Sequence, residues 1–251
     1  MRRARSRNFG ECYRQANRGQ NTKLSLKNIC VKGGGVSDVS FTLEEKQVLA
    51  LLGRNGAGKT STLKCIARAE ELELKGGEIY LQGESMHDKR GFQASRAGIQ
   101  LVPEDRRIIP GLTVEENLTL AQVAEPVGWE LERIYHHFPR LAERRRQEAV
   151  TMSGGEQQML AVARGLARDI KLLLLDEPYE GLAPTIVREI EGIVEQIREA
   201  GITTIIVEQN ALAVLKYSDR AVILDTGAVV YDGPAKEVLE NEDLRNRYLA
   251  I

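Results

Sequence analysis

The sequence lacks any apolar run long enough to cross a membrane, and it contains few cysteines. Apolar stretches such as Val48 to Leu52 and Leu172 to Leu175 fall far short of the roughly 20 residues that a membrane-spanning helix needs. The three cysteines, Cys12, Cys30 and Cys65, lie far apart and form no CxxC pair. This spacing suggests neither a disulfide framework nor a zinc site, and it fits a reducing cytoplasm.

The chain also lacks a large net charge, which is −1, but its charged residues are unevenly distributed along the sequence. The chain has 35 basic and 36 acidic residues, yet residues 1–23 hold seven Lys or Arg against one acid, which leaves 28 basic and 35 acidic residues. The main body therefore shows no sign of a nucleic-acid-binding surface. The basic leader has neither the apolar region of a signal peptide nor a helical apolar stripe. We predict that it is disordered; its functional alternatives are contact with anionic lipid or nucleic acid.

The length and composition suit a globular α/β protein. A chain of 251 residues with 42% hydrophobic residues can form one large domain, or a domain with a subdomain. Leu24 to Ile29 and Val39 to Leu43 alternate apolar and polar residues, which predicts half-buried antiparallel strands. Val48 to Leu52 is continuously apolar and predicts a strand buried on both faces, followed by a helix over Thr60 to Ala69.

The remaining elements alternate between strand and helix patterns. Strands are predicted near Glu78 to Leu81 and over Gly98 to Val102, and a helical middle from Thr113 to Arg146 suggests an inserted helical subdomain at about 105–152. The elements predicted after it are, in order, a helix Gly154 to Arg168, a strand Leu172 to Leu175, a helix Thr185 to Ala200, a strand Ile202 to Val207, a hairpin of Ala221 to Leu224 with Ala228 to Tyr231, and a helix after Pro234. This order predicts a mostly parallel core sheet.

A glycine-rich loop carries the strongest chemical signal. Gly53 to Thr60 reads G-x-x-x-x-G-K-T, between a predicted buried strand and a predicted helix, which is the context of a phosphate-binding P-loop. Backbone N–H groups and the helix N-terminus hold phosphate, Lys59 reaches the β and γ phosphates, and Thr60 ligates Mg²⁺. The predicted ATP-binding residues here are Gly53, Arg54, Asn55, Gly56, Ala57, Gly58, Lys59, Thr60 and Ser61.

Two carboxylates follow the predicted strand that begins at Leu172. Asp176 and Glu177 stand at its carboxyl end, the edge of a parallel sheet where ligands bind. We expect Asp176 to help hold Mg²⁺ and Glu177 to orient or deprotonate the attacking water, a role worth about 10²–10⁴-fold in rate.

A third motif begins at Ser153. Ser153 and Glu156 form the pattern of a helix capping box, and the run Ser-Gly-Gly-Glu-Gln starts 23 residues before Asp176. Together with the P-loop and the acidic strand end, this run resembles the signature motif of the ABC transporter family, and the resemblance covers residues 24 to 251. It implies an ATPase core with an antiparallel β subdomain and a helical subdomain. It also implies that the signature residues of one subunit complete the ATP site of another: Ser153, Gly154, Gly155 and Glu156.

The resemblance further implies a transport function. The segments Val102 to Pro110, Thr113 to Asn117, Gly181 to Pro184 and Val207 to Asn210 are similar to ATPases of importers for branched-chain or other hydrophobic amino acids. The implied partners are membrane permease subunits, an identical or second ABC ATPase, and indirectly a solute-binding protein, at the cytoplasmic face of the plasma (inner) membrane. Alternatives are urea, amide or sugar import, lipid or lipopolysaccharide export, and a non-transport regulatory ATPase.

Three positions depart from the family pattern. Glu104 stands where most members have a Mg²⁺-binding glutamine, and Gln209 stands where they have a histidine. We expect Glu104 to bind Mg²⁺ and Gln209 to donate an amide N–H to the γ-phosphate, although Gln209 lacks the positive charge available to histidine. The alternative for Gln209 is a polar residue at a strand end. Ala183 removes a carboxylate from the expected dimer interface.

The usual aromatic platform for adenine is also missing. Leu24 to Ser40 contains no aromatic residue, and Gly33, Gly34 and Gly35 occupy the expected place. We therefore predict weak discrimination between ATP and GTP, with Tyr13 as a substitute only if the leader folds back.

Overall fold

The computed structural model describes residues 22–122 and 129–249. Its larger sheet has the strand order β10-β9-β3-β8-β7-β6. The bounds are β3 Val48–Gly53, β6 Ile99–Val102, β7 Leu172–Asp176, β8 Thr204–Val207, β9 Arg220–Asp225 and β10 Ala228–Pro234. Neighbouring strands are parallel except for the antiparallel pair β9 and β10. The predicted mostly parallel core sheet is confirmed.

A smaller antiparallel sheet covers one face of the larger one. Its order is β2-β1-β4-β5, with β1 at Thr22–Val31, β2 at Val39–Glu44, β4 at Leu74–Leu81 and β5 at Glu84–Ser85. Strand β2 alternates buried and exposed residues, as predicted. Strand β1 begins at Thr22 and buries Lys23, so these two residues belong to the sheet and not to the leader. The rest of the predicted leader and the last two residues lie outside the described residues.

Helices fill the connections between strands. Their bounds are α1 Lys59–Ile66, α2 Gly91–Arg96, α3 Val114–Ala121, α4 Leu131–His137, α5 Pro139–Glu143, α6 Gly154–Leu166, α7 Pro184–Glu199, α8 Ala211–Leu215, α9 Ala235–Glu240 and α10 Glu242–Tyr248. The described part of the predicted helical middle contains three separate short helices, α3 to α5, before a 3-10 turn at Ala149–Thr151. No helix among residues 22–122 and 129–249 is long and apolar enough to span a membrane.

Strand β3 contributes side chains to the hydrophobic cores on both faces of the larger sheet. All six of its residues are buried, and successive side chains of a strand point to opposite faces. Leu49 and Leu51 pack in the core shared with the smaller sheet, whereas Ala50 and Leu52 pack in the core shared with α6 and α7. Because both faces are covered, the loop after β3 projects from a fixed edge of the sheet.

Candidate active site

The loop between β3 and α1 forms one wall of a cleft. Gly58 precedes α1 with a φ of 99°, in the left-handed region that favours glycine. A Cβ on Gly58 would stand 2.0 Å from the carbonyl oxygen of Gly35. The loop is therefore packed against a second glycine-rich segment, and only glycine fits at position 58 without backbone movement.

Lys59 is buried and folds back over this loop. Its Nζ donates to the carbonyl oxygens of Gly53 at 2.9 Å and Arg54 at 3.3 Å. Burial lowers the pKa of the Lys59 ammonium, while the carboxylates of Glu177 and Asp176 act in the opposite direction. The ammonium is thus tethered by neutral carbonyl groups beside two acidic residues.

Thr60 and Asp176 bring the loop together with strand β7. The Thr60 Oγ1 donates to Asp176 Oδ1 at 2.9 Å. Asp176 is only 2% exposed, and burial raises the pKa of its carboxyl to about 6. The pair places two oxygen atoms side by side at the sheet edge, and their role as Mg²⁺ ligands stays a prediction.

Glu177 and Gln209 meet across the ends of neighbouring strands. Asp176 pairs with Val207 in the parallel β7–β8 ladder, and the Glu177 N–H donates to the Val207 carbonyl at 2.9 Å. Gln209 Nε2 then donates to Glu177 Oε2 at 2.7 Å. Glu177 has a φ of 48°, an uncommon conformation for a non-glycine residue that the surrounding structure must hold.

The cleft contains a further carboxylate that sequence reasoning missed. Its volume is about 440 Å³, and it is lined by Gly35, Asn55, Gly56, Gly58, Lys59, Thr60, Ser61, Glu104, Glu177, Glu180 and Gln209. A side-chain hydrogen bond with Glu177 raises the pKa of Glu180 to about 7. Its position three residues after Glu177 is the only sequence signal for Glu180.

The cleft gathers most of the predicted site residues of its own chain. Gly53, Arg54, Ala57 and Asp176 do not line it. The carbonyls of Gly53 and Arg54 hold Lys59, and Asp176 accepts a hydrogen bond from the lining residue Thr60. None of its lining residues, all in the described ranges, is aromatic, and Gly35 packs against Gly58 where both line the cleft. Tyr13 lies outside the described residues.

Ser153 to Glu156 lie apart from this cleft, at the N-terminus of α6. Ser153 N and Oγ both donate to Glu156 Oε2, at 2.9 and 2.8 Å, and Arg144 Nε lies 2.6 Å from Glu156 Oε1. None of Ser153, Gly154, Gly155 and Glu156 lines the cleft of the same chain. The capping box is therefore present, while the cleft is formed without these four residues.

A buried acid behind the cleft was also missed. Glu208 is only 4% exposed, and burial raises the pKa of its carboxyl to about 7, against the lowering effect of hydrogen bonds from the Tyr179 and Gln209 N–H groups. Its only sequence signal is its place before Gln209, inside the segment Val207 to Asn210.

Comparison with known proteins agrees with this geometry. Residues 36–180 match a family model described as ABC transporter. The chain is 41% identical over 215 residues to the high-affinity branched-chain amino acid transport ATP-binding protein BraG of Pseudomonas aeruginosa, covering 84% of this chain and 91% of that protein. It is 30% identical over 238 residues to the lipopolysaccharide export system ATP-binding protein LptB of Escherichia coli, covering 90% of this chain and 96% of that protein.

Solved structures share the fold. The dimeric structure of MJ0796, a bacterial ABC transporter cassette, has a TM-score of 0.73 and 22% identity, and the match covers 84% of this chain and 98% of that one. At this identity the likeness concerns the fold alone. It agrees with the two sheets and the helices described above.

Proposed function

Because this chain belongs to the ABC transporter family and is an ATP-hydrolysing subunit, we propose that it powers an importer of branched-chain or other hydrophobic amino acids. The observation that carries the proposal is the higher identity to BraG than to the exporter subunit LptB. The segments Thr113 to Asn117 and Val207 to Asn210 resemble the same branch of the family.

Nucleotide binding rests on the loop from Gly53 to Ser61. Its backbone N–H groups and the start of α1 face the cleft and attract phosphate oxygens. In this proposal Lys59 leaves the carbonyls of Gly53 and Arg54, to which it donates in this structure, and pairs with the β and γ phosphates. The exchange replaces neutral partners with charged ones, which form stronger hydrogen bonds.

The residues beside Lys59 fit Mg²⁺. This cation prefers oxygen ligands, and the Thr60 hydroxyl and the Asp176 carboxylate lie 2.9 Å apart, with Glu104 in the same cleft. Bound there, Mg²⁺ neutralises charge on the phosphate oxygens during phosphoryl transfer. Thr60, Asp176 and Glu104 are the proposed ligands.

Glu177 is the proposed general base for hydrolysis. Its carboxylate accepts from Gln209 Nε2 at 2.7 Å, which fixes its orientation towards the cleft. Gln209 therefore contacts Glu177 in this structure. To donate to the γ-phosphate, the partner expected from the sequence, the Gln209 side chain must change rotamer.

A second subunit supplies the signature residues in this proposal. Since Ser153 to Glu156 do not line their own chain's cleft, we assign them to the nucleotide of a partner, either an identical copy or a second ABC ATPase. The pair docks on membrane permease subunits at the cytoplasmic face of the membrane, where a solute-binding protein delivers the cargo. Residues 105–152 form the proposed helical subdomain.

Solute uptake in the cell that encodes the chain tests the cargo. We expect deletion of the gene to abolish high-affinity uptake of radiolabelled leucine, isoleucine and valine, with urea and sugar uptake as controls. Re-expression of the wild type restores uptake, whereas Glu177→Gln does not. Normal amino-acid uptake in the deletion strain, together with loss of another solute or a lipopolysaccharide defect, would contradict amino-acid import.

A further inference from the structure

Glu208 occupies a buried position between the two loops that carry Glu177 and Gln209. A buried carboxylate is unfavourable unless its oxygens are hydrogen-bonded. Glu208 Oε1 accepts from the Tyr179 N–H at 2.8 Å, and Glu208 Oε2 accepts from the Gln209 N–H at 3.2 Å. One side chain thus joins the backbone after β7 to the backbone after β8.

No salt bridge of the described residues neutralises Glu208, although the charge of this carboxylate acts to raise the pKa of the Lys59 ammonium. Among the salt bridges within residues 22–122 and 129–249, none includes this carboxylate. Its hydrogen-bond partners include the backbone N–H groups of Tyr179 and Gln209, which lie close to the reacting groups, and a backbone hydrogen bond from Asn210 also acts to lower its pKa. Tyr179 follows Glu177 by two positions, and Gln209 itself donates to Glu177 Oε2 at 2.7 Å.

We propose that Glu208 is a positioning residue that holds Glu177 and Gln209 in register for ATP hydrolysis. The left-handed backbone of Glu177, with a φ of 48°, persists only if neighbouring contacts hold it. The β7–β8 ladder holds the N–H side of Glu177, and the Glu208 carboxylate holds the chain two residues later. This inference rests on the role of Glu177 proposed above.

Glu208→Gln is the direct test, because it keeps the side-chain size and replaces one acceptor oxygen with an N–H donor. One of the two backbone N–H groups then faces a donor, and the loops separate. Misplacement of about 1 Å can reduce rates by about 10²-fold. We expect kcat for phosphate release by the full chain to fall about 10- to 100-fold, with KM for ATP within about twofold, since the P-loop is untouched.

Asp219→Asn is the matched control at the opposite end of β3. Asp219 Oδ2 accepts from the Val48 N–H at 2.9 Å, and Asp219 Oδ1 accepts from Arg198 at 2.9 Å. Like Glu208, this carboxylate accepts a hydrogen bond from a backbone N–H group, but Asp219 does not line the cleft. We expect Asp219→Asn to lower the melting temperature and to leave kcat of the folded protein unchanged.

A double variant separates positioning from general structural loss. If Glu208 acts by positioning Glu177, adding Glu208→Gln to Glu177→Gln should reduce kcat much less than it does in the wild type. Wild-type kcat in Glu208→Gln, or fully additive losses in the double variant, would overturn the inference. If Glu208→Gln does not fold, Glu208→Asp gives the same test, with kcat reduced and KM retained as the supporting result. Normal turnover by Glu177→Gln would instead overturn the proposed base.

Discussion

Alanine substitutions at two P-loop glycines should lower the free energy of unfolding by different amounts, which the structure allows us to work out. Gly56 and Gly58 both have positive φ angles, 79° and 99°, but their surroundings differ. A Cβ at Gly56 meets nothing within 4 Å, whereas a Cβ at Gly58 would lie 2.0 Å from the Gly35 oxygen and 3.2 Å from Val36 Cγ2. The Gly35 segment is held by the Val31 N–H, which donates to the Val36 oxygen at 3.0 Å.

The two alanine variants should therefore differ in stability. Left-handed backbone costs an L-residue about 1–2 kcal/mol, and forced overlap in a packed region costs about 1–3 kcal/mol more. We expect Gly56→Ala to lower the free energy of unfolding by about 1–2 kcal/mol and Gly58→Ala by about 2–5 kcal/mol. In Gly58→Ala the displaced Gly35 segment also changes the shape of the cleft, since both glycines line it.

Chemical unfolding of both variants, followed by circular dichroism without nucleotide, measures this difference. Titration with ATP and Mg²⁺ then measures the affinity of the cleft for nucleotide. We expect a larger loss of affinity for Gly58→Ala than for Gly56→Ala. Equal destabilisation of the two variants would refute the overlap with Gly35. Unchanged stability in Gly58→Ala would show that the loop relaxes freely.

Three further predictions concern the proposed residues. Glu177→Gln should reduce phosphate release about 10²–10⁴-fold while retaining bound ATP, since an amide cannot accept the water's proton; wild-type release would exclude Glu177 as the base. Ser153→Arg should preserve ATP binding by the monomer but block dimer formation and hydrolysis, whereas a purely capping role would cost about 1 kcal/mol of stability with normal turnover per folded molecule. ATP and GTP should bind within about tenfold of each other, because stacking on an aromatic ring is worth about 1–3 kcal/mol and no described residue that lines the cleft is aromatic. Strong ATP preference with and without residues 1–22 would contradict this expectation, and preference lost on truncation would implicate Tyr13.

Sequence patterns located the strands better than the helix ends. Continuous apolar runs identified β3 and β7, because a strand covered on both faces leaves no polar alternation. Strand β4 begins at Leu74, four residues before the predicted Glu78, since Gly76 and Gly77 interrupt the alternation that marks a strand. The five-residue helix α8 was missed, because it is too short to show a helical period.

In the helical middle, the sequence pattern also failed to locate the ends of the individual helices. One helical region was predicted from Thr113 to Arg146, and the described part of it contains α3, α4 and α5. Pro139 begins α5 directly after α4, which agrees with the preference of proline for the first turn of a helix. Residues 123–128 lie outside the described part of the chain.

The sequence alone determined which groups stand at strand ends: the P-loop after β3, Asp176 as the last residue of β7 with Glu177 after it, and Gln209 after β8. These assignments are local, since a motif and the strand before it are adjacent in the chain. The tertiary structure decided which groups touch, because the order β3-β8-β7-β6 sets lateral neighbours that sequence separation does not encode. That order places Gln209 on Glu177 and Glu208 between their loops, and it leaves Ser153 outside the cleft.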